Sequence, residues 1–376
     1  MRRLRVFFST GELSGEVLAA ELLGAMRGFA DIEAAGVGDR HLESAGVRIV
    51  QRNRGWASIG PLDALRRIPM LFVHAMRLGA LLLRDPPDLL VLVDYGAFNL
   101  RFAQLLRRFG FRAPIAYYVP PGAWFDDVKR ARAVAGVCDA LAIFRHQAEF
   151  YRAHGLPIGY IGHPMRSTIA ARAPRPRAPG DGGLVALLPG SRPAEIARIA
   201  PLLLDALPLA LARRPALRAR LVAANDAAQA QLEALVSARD ALPVEIVRDA
   251  RATLREADAA VIASGTAVLE AALIGTPAVA TYVTTAAQAA YLRARWHRPH
   301  VTLPNLVLGE EVVAEYLQDA ATPEALAAAL LALLDDPERQ RAGYARLREA
   351  LGPSDALERN AEWIVGAAGE PAGERT

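Results

Sequence analysis

The sequence has very little of several residue types, and each shortage excludes a class of protein. Its single cysteine, Cys138, excludes an intramolecular disulfide framework and any cysteine-based zinc site. The seven histidines are scattered without the spacing of metal ligands, so we expect no metal. No apolar run approaches the ~20 residues that span a bilayer, and no cleavable targeting segment is recognisable. We therefore expect a cytoplasmic protein.

The net charge is also small. Lys129 is the only lysine, so 43 of the 44 basic residues are arginine, and 40 acidic residues leave a formal charge of +4. This small, evenly spread surplus argues against a nucleic-acid partner and fits an enzyme with anionic ligands or one that touches an anionic membrane. A hydrophobic content of 53% excludes intrinsic disorder, and 376 residues predict two domains.

Short apolar segments alternate with helical patterns in two halves of the chain. This alternation predicts an α/β protein of two Rossmann-like domains with parallel sheets, and ligands are expected in the cleft between them. We expect an N-terminal domain over 1–172, a Pro-rich linker over 173–183 and a second domain over 184–345. Helices within 346–376 are expected to return to the first domain. The predicted strands are 4–9, 89–94, 114–119, 184–188, 221–224, 244–247, 259–263 and 277–282.

The first candidate site is the turn GELSGE, which follows the first predicted strand. Gly11 and Gly15 permit close backbone approach, and the next helix presents free N–H groups to an anion or a sugar oxygen. Glu12 and Ser14 are the polar side chains of this turn. An ordinary turn with a helix cap explains the same residues equally well.

Asp94 ends the apolar strand LLVLV and is the candidate general base. A carboxylate at this position is partly desolvated, which raises its pKa; the alternative is a helix cap. Asn99 lies in the same motif. In the next loop, Trp124 offers an apolar face to a sugar ring or an acyl chain, or else anchors the loop.

Two turns in the second half predict a nucleotide-diphosphate pocket. Gly190, Ser191 and Arg192 combine backbone N–H groups, a hydroxyl and a fixed positive charge, but lack the lysine of a P-loop NTPase. The alternative is a structural salt bridge from Arg192 to Glu195. The second turn places small and hydroxyl residues at a helix start, with a carboxylate one turn later that suits ribose hydroxyls. Its residues are Ser264, Gly265, Thr266 and Glu270.

The segment 61–83 predicts membrane contact. It combines many large apolar residues with arginines and a break at Pro69, which is typical of a basic amphipathic helix at a bilayer surface. A buried helix of the α/β layer is the alternative. The expected contact residues are Arg66, Arg67, Met70, Leu71, Phe72 and Arg77.

Seven motifs occur together over the whole chain: GELSGE, VDYGAFN, YYVPPGAW, IGHPM, LLPGSRPAEI, ASGTAVLEAALIGTPAVATY and LPNLVLG. In this combination the chain resembles the lipid-A-disaccharide synthases, which are GT-B glycosyltransferases of lipopolysaccharide synthesis. The resemblance implies a metal-independent, inverting transfer of 2,3-diacylglucosamine from UDP-2,3-diacylglucosamine to the 6-hydroxyl of 2,3-diacylglucosamine 1-phosphate, which releases UDP. It also implies a peripheral protein on the inner face of the inner membrane.

The resemblance also assigns roles. Asp94 matches the favoured base, and Glu12, Ser14 and Gly15 match the acceptor-side motif. Arg192 and Glu270 match residues on the UDP side. Asn305 matches the asparagine of the LPN block, and Gln318 follows Glu315 at the family's acidic-x-x-Gln spacing. Exchange of the C-terminal helices in a homodimer is a further possibility.

Three departures fall in the acceptor half. Glu16 replaces an aspartate, DYGAFN replaces DAPDFN, and the loop PPGAWFDD lacks the family's second tryptophan and its arginine. Alternatives therefore stay open: a GT-B UDP-sugar transferase with another lipid acceptor, a UDP-GlcNAc 2-epimerase-like enzyme, or a UDP-sugar-binding protein without catalysis.

Overall fold

The computed structural model describes residues 2–56, 61–122, 127–173, 182–239 and 242–369, without the side chains of 61–65. The chain divides into two compact units. The first contains Met1–Thr168 and Leu351–Thr376, and the second contains Ile169–Ala350. Unit 1 ends at Thr168 and resumes at Leu351, where the expected limits are 172 and 346, and unit 2 begins at Ile169, ahead of the expected linker over 173–183.

Unit 1 is built on a seven-stranded parallel sheet in the order β3-β2-β1-β4-β5-β6-β7. The order reverses between β1 and β4, and open parallel sheets bind ligands beyond the carboxyl ends of strands at such a point. The strands are β1 (Arg3–Ser9), β2 (Asp31–Gly38), β3 (Arg48–Arg52), β4 (Leu89–Val93), β5 (Ile115–Tyr118), β6 (Asp139–Ala142) and β7 (Gly159–Tyr160).

Helices cover this sheet, so β4 is buried on both faces and consists only of apolar residues. The helices are α1 (Leu13–Met26), α2 (Arg40–Ser44), α3 (Pro61–Arg84), α4 (Gly96–Arg108), α5 (Val128–Ala135), α6 (Arg145–Ala153) and α7 (Met165–Thr168).

Unit 2 repeats the plan with six parallel strands in the order β10-β9-β8-β11-β12-β13, and the order reverses between β8 and β11. Its strands are β8 (Leu184–Leu188), β9 (Arg218–Val222), β10 (Val244–Val247), β11 (Ala259–Ala263), β12 (Ala278–Tyr282) and β13 (Glu315–Leu317). Its helices are α8 (Pro193–Arg213), α9 (Asp226–Ser237), α10 (Ala250–Glu256), α11 (Thr266–Ile274), α12 (Ala286–Arg295), α13 (Leu303–Leu308), α14 (Pro323–Asp335) and α15 (Glu338–Ala350).

The last helix, α16 (Ala356–Gly366), packs in unit 1 against α1 and α7. The side-chain amide of its buried Asn360 donates to the Tyr118 hydroxyl at 3.1 Å and to the Gly162 carbonyl at 3.2 Å. These bonds hold α16 beside β5.

Two sequence expectations need correction. The expected break at Pro69 is wrong, because α3 runs without interruption from Pro61 to Arg84. Pro69 is exposed, so water can bond the carbonyl that its missing N–H leaves unpaired. Five strands also had no sequence signal: β2, β3, β6, β7 and β13. They are short, polar or rich in small residues, so they lack the apolar run that marked the central strands.

Candidate active site

The centre of the candidate site in unit 1 is Asp94, the residue directly after β4. Asp94 and Tyr95 both adopt left-handed backbone conformations, with φ of 49° and 47°. Such angles cost energy in residues other than glycine and persist only where the surroundings enforce them. The Asp94 N–H donates to the Tyr118 carbonyl at 3.0 Å, and the Tyr117 hydroxyl donates to the Asp94 carbonyl at 2.9 Å.

Asn99 completes this support from the first turn of α4. Its fully buried amide nitrogen donates to the carbonyl oxygens of Ser9 (3.1 Å), Val93 (3.2 Å) and Asp94 (2.9 Å). Its side-chain oxygen accepts from the Ser9 hydroxyl at 2.7 Å. Asn99 thus joins the carboxyl ends of β1 and β4, and its contacts are those of a residue that positions Asp94.

The surroundings of Asp94 suit a general base. Desolvation by the protein atoms around its carboxyl raises its pKa to about 6, the backbone N–H of Tyr95 opposes the shift, and the charge of Glu12 adds to it. Asp94 is nevertheless an exposed residue, so solvent and a ligand hydroxyl can reach the carboxylate. A carboxyl with this pKa is mostly ionised at neutral pH and a stronger base than an ordinary aspartate.

The turn after β1 packs closely against Tyr95. A Cβ atom on Gly11 would overlap the Tyr95 ring, and the Tyr95 hydroxyl donates to the Trp56 carbonyl at 2.6 Å. Glu12 is half-buried and Ser14 is exposed, so both side chains of this turn can meet a ligand. Gly15, in contrast, has only ordinary contacts: its Cβ position is 3.6 Å from the Val93 carbonyl oxygen.

The buried carboxylate of Glu16 stabilises this turn. Glu16 is 3% exposed, its Oε1 atom accepts from the Asn53 side chain at 2.8 Å, and its Oε2 atom accepts from the Leu42 N–H at 3.5 Å. Asn53 had no sequence signal, because it lies 37 residues from Glu16 in a loop of no recognisable pattern. Trp124, the aromatic residue proposed for the next loop, lies outside the described residues.

In unit 2, Glu195 organises the turn after β8. Gly190 has a φ of 104°, and a Cβ atom there would lie 2.8 Å from Glu195 Oε2. Arg192 donates from its side chain to Glu195 Oε1 at 2.9 Å, and the Tyr282 hydroxyl donates to the same oxygen at 3.2 Å. The anticipated salt bridge therefore exists, but the Arg192 side chain remains 40% exposed beside the exposed Ser191. The pairing orients the guanidinium and leaves it accessible.

The turn after β11 opens the N-terminus of α11. The Ser264 N–H continues the sheet by donating to the Thr281 carbonyl at 2.9 Å. Gly265 and Thr266 are exposed, and Gly265 as N-cap supplies no side-chain hydrogen bond to the helix. The N-cap residue therefore leaves the first N–H groups of α11 without a side-chain partner, and these groups can bind an anion.

Glu270, one turn into α11, forms a salt bridge with Arg251. Its Oε1 atom accepts from Arg251 Nε at 2.8 Å, and a second guanidinium nitrogen lies at the same distance. Arg251 lies on α10, 19 residues earlier, and no sequence pattern linked the two.

Asn305, expected beside the nucleotide sugar, has its whole amide engaged within the protein. The fully buried side chain accepts from the N–H groups of Val312 and Val313, both at 2.8 Å. It donates to the Val313 carbonyl at 2.7 Å and to Glu315 Oε1 at 2.9 Å. An asparagine amide has two donors and two strong acceptor positions, so this side chain shapes the loop before β13.

Gln318 is similarly engaged. Its φ is 53°, and in the amide orientation that satisfies both atoms it pairs with the Thr284 N–H and the Thr284 carbonyl, each at 3.2 Å. This pairing joins the end of β13 to the loop after β12.

α3 presents an apolar surface to solvent, which we call the α3 surface. Of the expected contact residues, Arg66, Met70, Phe72 and Arg77 are exposed, and Phe72 reaches 59%. Leu71 is half-buried against the core of unit 1, and Arg67 is half-buried with a guanidinium nitrogen 3.7 Å from the Cβ position of Gly55. The other exposed apolar members are Ile68, Val73, Met76, Leu81 and Leu83.

Within the described ranges, no helix is both long and apolar enough to cross a membrane. The described side chains also contain no group of three or more His, Cys, Asp or Glu that could hold a metal ion. His163 is buried in the turn before α7, where its Nδ1 atom accepts from the Met165 N–H at 3.3 Å. Burial lowers its pKa to about 3, which fits a neutral side chain that orders the turn.

Solved structures share this architecture. A UDP-GlcNAc 2-epimerase from Neisseria meningitidis bound to UDP-GlcNAc has a TM-score of 0.64 at 11% identity, with 97% of this chain and 100% of that chain covered. The glycosyltransferase of kitacinnamycin has a TM-score of 0.61 at 17% identity, with 98% and 100% covered. Two parallel-sheet units with polar turns at their strand ends thus define a protein of the GT-B fold, shared by glycosyltransferases and these epimerases.

Sequence comparison identifies the family. Residues 6–361 match the family described as lipid-A-disaccharide synthetase. The lipid-A-disaccharide synthase of Pseudomonas aeruginosa strain UCBPP-PA14 is 37% identical, with 96% of this chain and 97% of that protein covered. The Azotobacter vinelandii enzyme is 38% identical at the same coverage. The chain belongs to the lipid-A-disaccharide synthase family and is a glycosyltransferase of lipid A biosynthesis.

Proposed function

We propose that the protein transfers 2,3-diacylglucosamine from UDP-2,3-diacylglucosamine to the 6-hydroxyl of 2,3-diacylglucosamine 1-phosphate. The products are lipid A disaccharide 1-phosphate and UDP. The observation that carries the proposal is Asp94, an exposed carboxyl with a raised pKa at the switch point of unit 1, in a chain of this family.

Asp94 acts in this proposal as the general base. Its carboxylate takes the proton of the acceptor 6-hydroxyl as that oxygen attacks the anomeric carbon, and UDP leaves from the opposite face of the sugar. The result is inversion at the anomeric carbon. Glu12 and Ser14, on the neighbouring turn, would contact the acceptor and help to orient its hydroxyl.

The leaving UDP is assigned to unit 2. Arg192 and the open N-terminus of α11 place positive charge and free N–H groups at two neighbouring strand ends, which suits a diphosphate. Glu270, oriented by Arg251, would accept hydrogen bonds from the ribose hydroxyls. UDP in structures of similar fold supports this assignment. We propose that these groups stabilise the leaving charge without a metal cofactor.

The acylated substrates require contact with a lipid phase. We propose that the α3 surface, which combines Phe72 and Met70 with Arg66 and Arg77, binds the anionic inner face of the inner membrane as part of a peripheral cytoplasmic protein.

The reaction is tested by incubating the purified protein with both substrates and analysing the products by mass spectrometry. The proposal predicts disaccharide 1-phosphate and UDP in equal amounts. UDP without disaccharide would indicate another acceptor, and conversion of UDP-GlcNAc to its 2-epimer in a parallel incubation would indicate an epimerase. Either result would contradict the proposed reaction.

A further inference from the structure

α12 in unit 2 is a helix with almost no packing of its own. Of its ten residues, one, Ala289, is buried. Tyr291 is 44% exposed and Leu292 is 40% exposed, although both are large apolar side chains. Burying exposed apolar side chains is favourable. A helix that presents two of them to solvent is therefore suited to bind something outside the chain.

The same segment is strongly basic. Arg293, Arg295 and Arg298 lie within six residues, and no aspartate or glutamate occurs anywhere between Glu270 and Glu310. The sequence therefore concentrates three positive charges here, although the whole chain has a net charge of only +4. In the part of the chain that the structure describes, Arg293 and Arg295 are exposed.

Tyr291, Leu292 and Arg295 share the outward side of α12, whereas Arg293 projects on the side of the buried Ala289, to whose carbonyl its Nε donates at 3.4 Å. The guanidinium carbon of Arg295 lies 5.5 Å from the ring centroid of Tyr291, one turn earlier. Just beyond the helix, the indole N–H of Trp296 donates to the His300 carbonyl at 2.8 Å and closes the following turn. The Glu315 carboxylate accepts hydrogen bonds from the N–H groups of Val301 and Thr302, which lie just after this segment.

We infer that this α12 surface, formed by Tyr291, Leu292 and Arg295, binds an anionic lipid bilayer. Aromatic and aliphatic side chains enter the headgroup boundary, while arginines pair with phosphate groups and keep their stems against apolar atoms. A second copy of the same surface is a poor partner, because like charges would face each other. The inference goes beyond the proposed function, which places membrane contact on the α3 surface of unit 1.

The test compares two matched double variants of the full chain. Leu292→Ser with Arg295→Gln removes one exposed leucine and one exposed arginine from the α12 surface. Leu209→Ser with Arg213→Gln does the same on α8 of the same unit, where the leucine is also 40% exposed. Binding is measured by sedimentation with vesicles of phosphatidylethanolamine and phosphatidylglycerol, and with vesicles of phosphatidylcholine alone.

The α12 variant is expected to bind anionic vesicles at least about fivefold more weakly than the parent, since one arginine near an anionic surface contributes about that factor. The α8 variant should bind like the parent, and the difference should shrink in high salt. Equal binding by the two variants would overturn the inference, as would intact vesicle binding with a changed oligomeric state by light scattering. If the α12 double variant does not fold, Arg295→Gln alone must show the same charge-dependent loss. None of these measurements uses transfer activity, so they separate this inference from the proposed reaction.

Discussion

The side-chain nitrogen of Asn99 lies 2.9 Å from the carbonyl oxygen of Asp94, and this hydrogen bond fixes the candidate base in its left-handed conformation. The same nitrogen reaches the carbonyls of Ser9 and Val93, so one amide ties the ends of two neighbouring strands together. The position of Asp94 thus depends on a buried residue that need not touch substrate.

Asn99→Ala should therefore reduce both stability and turnover. Loss of a buried amide that serves three carbonyls should cost about 3 kcal/mol in the free energy of unfolding, measured by urea denaturation. The transfer rate should fall more than about tenfold, because Asp94 loses its support. Asn225→Ala, which removes a cap bond on α9, is the control. It should cost about 1 kcal/mol and leave the rate unchanged; equal rates in the two variants would argue against the positioning role.

Gly11→Ala should damage the acceptor side through Tyr95. The added methyl group overlaps the Tyr95 ring, so we expect a loss of about 1–3 kcal/mol in stability and a higher KM for the acceptor. Gly24→Ala is the matched control, because nothing lies within 4 Å of its Cβ position on α1. That change should be neutral or stabilise by about 0.5–1 kcal/mol. The model of a tight Gly11–Tyr95 contact fails if Tyr95→Ala does not rescue the Gly11→Ala variant.

Arg192→Gln separates anion binding from a purely structural salt bridge. If the guanidinium binds the diphosphate, UDP affinity measured by titration calorimetry should weaken about 10- to 100-fold. The free energy of unfolding should change by less than about 1 kcal/mol, because the pair with Glu195 is partly exposed. Arg341→Gln, which removes another pair three residues apart on α15, should change neither UDP affinity nor turnover. Unchanged UDP affinity in Arg192→Gln would leave only the structural role.

The sequence indicated the central strands and the turns that follow them, because a strand buried on both faces must be apolar and its end must carry any polar group. It therefore indicated Asp94 and the turns around Arg192 and Gly265 as candidates, and their roles stay predictions. It did not indicate β3, whose residues are mostly polar, nor partners distant in sequence such as Arg251 for Glu270. Asn99 and Asn305 stood out as motif residues, but only the structure shows that their amides are engaged within the protein.

His163 should make unit 1 sensitive to acid. Burial lowers its pKa to about 3 in the folded state, while the unfolded chain has an ordinary histidine near 6.5. Between these values only the unfolded state takes up the proton, so stability falls as the pH drops below 6.5, by about 2 kcal/mol at pH 5. His163→Asn should lose about that much less than the parent between pH 8 and pH 5. Identical slopes in the parent and in His163→Asn would refute the assignment.

The Asp94→Asn variant separates the role of the carboxylate as general base from its role in the structure. Asparagine keeps the size of the side chain and tolerates the left-handed conformation, but it cannot accept a proton. Disaccharide formation and UDP binding are measured on the same preparation, with the parent rate recorded from pH 5 to pH 8. We expect a parent rate that falls as the pH drops through about 6, and a variant with at least about 1,000-fold lower transfer but unchanged UDP affinity. Transfer by Asp94→Asn within tenfold of the parent would contradict the assignment of Asp94 as the base.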